Sequence, residues 1–61
     1  MRIKIKTHWT DGSFTLDTRE ESSEQETLTE HWAVKEGDSQ ITEITAYQVR
    51  SWHEDRLLWQ L

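Results

Sequence analysis

The sequence predicts a small all-β domain: an antiparallel meander or an open, SH3-like barrel of four to five strands. Three observations carry this. Polar and apolar side chains alternate from Arg2 to Thr18 on both sides of an Asp11-Gly12 pair. Residues 26–35 and 40–45 are rich in threonine, isoleucine, valine and tryptophan, which suit a pleated surface. Leu57, Trp59 and Leu61 alternate again. No proline occurs, so no segment is barred from a sheet interior.

In the first strand Ile3, Ile5, Thr7 and Trp9 share one face, and Arg2, Lys4, Lys6 and His8 the other. Asp11-Gly12 reads as a two-residue hairpin turn with positive φ at both positions. That turn sets Trp9 opposite Phe14 and Thr7 opposite Leu16 in the core, and Lys6 opposite Asp17 on the wet side.

Residues 17–30 (DTREESSEQETLTE) hold six carboxylates against Arg19 alone. With no apolar residue from 17 to 27, this stretch reads as a solvated connection. Ser22 with Gln25, or Ser23 with Glu26, has capping-box spacing. The alternative fold is therefore α+β, with one short helix near residues 20–34. Its apolar stripe (Leu28, Trp32, Ala33) is thin, and a strand from about Glu26 to Lys35 is preferred. Residues 35–39 then form a second hairpin turn with Gly37 at positive φ. Gln40 to Thr45 is a strand in which Ile41 and Ile44 are out of phase, so a bulge or a bend is expected. Residues 46–50 are open between strand and helical turn. His53-Glu54-Asp55 is turn-like, and the last strand puts Leu57, Trp59 and Leu61 on one face and Leu58 on the other.

Residues 1–61 form one domain. A chain of this size buries only about 60% of the surface it exposes when unfolded. Without cysteine it has no disulfide, so its four tryptophans are expected to compensate, with Trp9, Trp32 and Trp52 buried. MRIKIKTHW has no apolar run of the kind a signal peptide needs. No stretch approaches the ~20 apolar residues of a membrane span. A soluble, cytoplasmic protein is expected.

Charge is uneven: +2 over residues 1–16, −5 over 17–30 and −2 over 31–61. Glu20, Glu21, Glu24, Glu26 and Glu30 form the candidate partner-binding surface, aimed at a protein with a basic surface. Reversing the first four of these is expected to cost no core contact. Arg2, Lys4 and Lys6 are the alternative, a basic strand face that tracks phosphates. Its aromatics fall on the opposite face, and the net charge of −5 opposes nucleic-acid binding. Leu58, Trp59 and Leu61 are the candidate self-association strand. The three histidines, each beside a tryptophan, read as outward-facing surface residues. No spacing supports a metal site, and no cofactor is implied.

The expected function is a non-catalytic binding module acting by protein–protein docking, with a homodimer as one form. An acidic inhibitor of phage type, filling a nucleic-acid-binding or active-site groove of its target, is the alternative. A nucleic-acid binder ranks below it. An enzyme is not expected, since little of so short a chain is left for a dry pocket.

Overall fold

β1 (Arg2–Trp9) is the first strand of a four-stranded antiparallel sheet, and its buried Ile3 and Ile5 occupy the alternate positions expected of it. The computed structural model describes residues 1–61. The remaining elements are β2 (Phe14–Glu20), α1 (Glu24–Gly37), β3 (Ile41–Gln48) and β4 (Arg56–Gln60). The sheet order is β2-β1-β3-β4, so β2 and β4 are its edges. The sheet is open, not a barrel, and the helix places the fold with the α+β alternative: mostly sheet, with one helix.

The β1–β2 hairpin differs from the predicted one by a single residue. Its loop has three residues, Thr10-Asp11-Gly12, closed by Trp9 and Ser13, with the Trp9 amide donating to the Ser13 carbonyl at 2.9 Å. Only Gly12 has positive φ, at 88°. This is the hairpin that ends in a glycine bulge, not the two-residue turn. Asp11 accepts from the backbone and hydroxyl of Ser13, and these bonds hold its carboxyl below the ordinary aspartate range.

One extra loop residue turns β2 over. His8 now pairs with Phe14, Lys6 with Leu16 and Ile5 with Asp17. The expected pairings Trp9–Phe14, Thr7–Leu16 and Lys6–Asp17 do not form. Phe14 and Leu16 lie on the outer face, 52% and 57% exposed.

Residues 24–37 are helical where a strand was preferred. Ser23 is the N-cap, and its hydroxyl accepts from the Glu26 amide at 3.2 Å. Glu24 and Glu26 in the first turn and Lys35 in the last complement the helix dipole. The helix continues to Gly37, which has no positive φ, and Asp38 caps it through its amide to the Lys35 carbonyl. The second hairpin turn predicted at 35–39 is thus the end of a helix. The residues α1 buries are Thr27 and His31, both polar.

The core lies between α1 and one face of the sheet: Ile3, Ile5, Ile41, Ile44, Ala46 and Trp59, with Trp9, Leu28, Leu58 and Leu61 packed around it. Of the bulge or bend expected in β3, the bulge is found. Trp9 pairs with Ile41 and His8 with Glu43, leaving Thr42 as the extra residue. It lets Ile41 and Ile44, three apart, bury their side chains on the same face. A second bulge at Leu57–Leu58 sets Leu57 opposite Tyr47 on the outer face and lets Leu58 pack against the core. The two leucines exchange the places predicted for them. No helix is long and apolar enough to cross a membrane.

The tryptophans do not form a shared core. Trp59 is buried at 8% exposure and Trp9 partly so, but Trp32 is 55% and Trp52 92% exposed. Burial of Trp32 and Trp52 was expected and is not found. Trp32 lies on the side of α1 away from Thr27 and His31, and Trp52 lies in the bend between β3 and β4.

Candidate functional site

The free edge of β4 is built by backbone alternation. Leu61 exchanges both backbone hydrogen bonds with Ile44, at 2.8 and 3.4 Å. Gln60, one residue before it and opposite Thr45, therefore turns its own N–H and C=O away from β3. No element covers them. Sheet edges are ordinarily guarded by charge, proline or a covering element. The other edge, β2, carries Asp17, Arg19 and Glu20, whereas β4 has no charged residue from Leu57 onward.

Beside this edge runs a groove of about 480 Å³ between α1 and β4. Gln25, Leu28, Thr29 and Trp32 line it from the helix, spaced so that they form one stripe. Trp59, Gln60 and Leu61 line it from the strand. None of the seven has a charged side chain. The buried indole Nε1 of Trp59 has no hydrogen-bond partner. Leu58, Trp59 and Leu61, the predicted self-association residues, thus divide their roles. All three pack on the core, while Trp59 and Leu61 also face the groove.

The acidic block is drawn together around Arg19. Its guanidinium lies 3.3 Å from Asp17, 3.6 Å from Glu21 and 3.3 Å from Glu30. It also donates to His31 Nε2 at 2.9 Å. Glu20 projects into solvent at the end of β2, and Glu24 and Glu26 occupy the first turn of α1. The block therefore supports the helix and the β2–α1 junction as well as presenting charge. Reversing Glu20, Glu21, Glu24 and Glu26 would break the Glu21–Arg19 pair and oppose the helix dipole. Against expectation, His31 faces inward, because it sits on a helix where neighbouring residues do not alternate in and out.

The basic strand face differs from its prediction in the same one-residue step. Lys4 and Lys6 share the outer face with Phe14, Leu16, Tyr47 and Leu57. The Lys6 ammonium lies 4.4 Å from the centre of the Phe14 ring, and His8 is 5.9 Å from that ring. Lys4 lies over Tyr47 and donates to Asp55 at 2.6 Å. That bond holds the Asp55 carboxyl below the ordinary range. Arg2 is exposed at the start of β1, opposite Glu20. Aromatics and lysines do meet on this face, but carboxylates accompany them. No group of three or more His, Asp or Glu side chains is arranged to hold a metal ion.

The sequence reading did not place the backbone of Gln60 or the side chain of Trp32 in a site. The signal was there: five uncharged residues from Leu57 to Leu61 in a chain with a charge of −5. Comparison of the chain with protein-family models, curated proteins and solved structures gives no match.

Proposed function

We propose that this chain is a non-catalytic binding module that docks against protein, and that the docking surface is the β4 edge with the groove beside it. The observation that carries the reading is the pairing of unused backbone groups at Gln60 with an uncharged, largely apolar groove. An extended protein segment laid along β4 would take up the Gln60 N–H and C=O. Its inward side chains would fill the space between Leu28, Trp32 and Trp59. This is strand addition, in which backbone bonds supply affinity and pockets supply selectivity. The polar side chains that meet elsewhere support a non-catalytic role. His31 bonds to the Thr27 carbonyl and to Arg19, the Thr27 hydroxyl bonds to the Ser23 carbonyl, and Arg19 also donates to Glu30.

A photo-crosslinking phenylalanine derivative placed at Trp32 tests the site. Cross-links to protein are expected from position 32, are lost with Gln60→Pro, and are absent when the probe stands at Leu16 on the outer face. Cross-links that survive Gln60→Pro, or that form equally from Leu16, overturn the reading.

A second reading is favoured by the charge around Arg19. Residues 17–30 hold six carboxylates, of which Arg19 contacts three and the Met1 ammonium a fourth, Glu20, leaving net negative charge at the β2–α1 junction. This surface suits a basic groove on another protein, and an inhibitor that fills a nucleic-acid-binding site is its sharpest form. Such binding weakens steeply as salt rises, whereas strand addition at an uncharged edge does not.

A further inference from the structure

We infer that the occupant of the β4 edge is a second copy of this chain, joined antiparallel through β4 to give one continuous eight-stranded sheet. The inference rests on the docking reading above and names its partner. Charge selects the surface. The chain carries −5 overall, so two copies repel across most of their surfaces. The seven residues lining the groove and the strand from Leu57 to Leu61 have no charged side chain, and here two copies meet with less of that cost.

Shape agrees with charge. A two-fold axis between two antiparallel edge strands keeps both helices on the same side of the joined sheet. The groove of each copy then faces the groove of the other, and one surface must supply both the projecting part and the hollow. It does so here. Trp32 stands at the groove with 55% of its surface exposed, and the hollow beside it is lined by Leu28, Trp59 and Leu61. The Gln60 backbone groups of each copy gain partners. Association moreover answers a need of the fold: only nine of 61 residues are buried, and no disulfide supports them.

Sedimentation velocity from low to high micromolar concentration decides it. The wild-type chain is expected to pass from 7.3 kDa to twice that mass as concentration rises. Gln60→Pro removes an amide that β3 does not use, and Trp32→Glu places a charge at the groove without touching the core. Each is expected to raise the dimer dissociation constant by about tenfold or more. Circular dichroism at low concentration, where every variant is monomeric, should show unchanged secondary structure. A wild-type monomer at every concentration overturns the inference, as does a dimer that both substitutions leave intact. If the chain is monomeric while the probe at position 32 captures a different protein, strand addition stands and self-pairing falls. If position 32 captures nothing, both fall together.

Discussion

Arg19 donates a hydrogen bond to Nε2 of His31 at 2.9 Å, tying the edge strand β2 to the buried side of α1. His31 Nδ1 lies 2.9 Å from the Thr27 carbonyl, which can only accept, so the ring proton is assigned to Nδ1 and Nε2 is the acceptor Arg19 requires. Thr27 in turn donates its hydroxyl to the Ser23 carbonyl at the helix start. A polar chain therefore runs from the N-cap to the strand in the place where an apolar stripe would ordinarily pack.

Replacing Arg19 by Met should destabilise the fold by about 1–3 kcal/mol, the cost of leaving a buried acceptor unpaired. The substitution also deprives Asp17, Glu21 and Glu30 of the cation they share. Urea unfolding at neutral pH measures the effect. An unchanged midpoint would show that the Arg19–His31 contact contributes nothing to stability.

This polar chain explains why the helix was hard to read. Periodicity finds helices by their apolar faces, and α1 buries a threonine and a histidine. The capping spacing at Ser23 and Glu26 was legible, but the β-branched and aromatic residues around it outweighed it. The hairpin failed differently. Asp11-Gly12 serves both two-residue and three-residue loops, and the choice between them moves Phe14 and Leu16 from core to surface. The bulge between Ile41 and Ile44 was legible because both residues demanded the same face. The groove was not, since it joins α1 to a strand distant in sequence, and only the uncharged character of residues 57–61 hinted at it.

Gly12→Val should cost about 1–2 kcal/mol, because φ of 88° crowds a side chain against its own backbone. The added Cβ meets no neighbour within 4 Å, so the cost is conformational and not steric packing. Gly12→Asn, which tolerates this region, should lose less. Thermal unfolding of the two variants separates them. Equal losses would mean that the positive φ is not what the loop needs.

Trp59 and Trp52 should behave as opposites. Trp59→Ala removes a core side chain and should cost about 3–5 kcal/mol, enough to unfold a domain of this size. Trp52→Ala should change stability by no more than about 0.5 kcal/mol. With Trp52 and Trp32 so exposed, the fluorescence shift on unfolding should come chiefly from Trp59 and Trp9. A large loss of stability in Trp52→Ala would contradict the exposed bend.

Asp55 should make the fold sensitive to acid. Its hydrogen bond from Lys4 lowers its carboxyl from the ordinary value of 3.8. A lowered folded-state value means that the contribution is fully present above 3.8 and is lost as pH falls through the folded value. Lys4→Met should therefore flatten the acid limb of the stability curve below about pH 4 and change its shape little near neutrality. Acid limbs that run parallel in the two proteins would exclude the Lys4–Asp55 bond as a source of this response.

The acidic block should separate into residues that hold the helix and residues that only present charge. Glu24 and Glu26 sit in the first turn of α1, where a carboxylate opposes the positive end of the helix dipole. Each such interaction is worth about 0.3–1 kcal/mol at low ionic strength, and lysine replaces attraction with repulsion. Changing both to lysine should lower stability by about 1–2 kcal/mol at low salt, and by less at high salt as screening weakens the field. Glu20 lies outside the helix with its side chain 77% exposed, so Glu20→Lys should shift stability by no more than about 0.5 kcal/mol. Urea unfolding at low and high salt distinguishes these responses. If all three reversals leave stability unchanged, the first-turn glutamates do not support the helix. The −5 of residues 17–30 would then be wholly available to a basic partner, and the charge-driven reading would gain over strand addition.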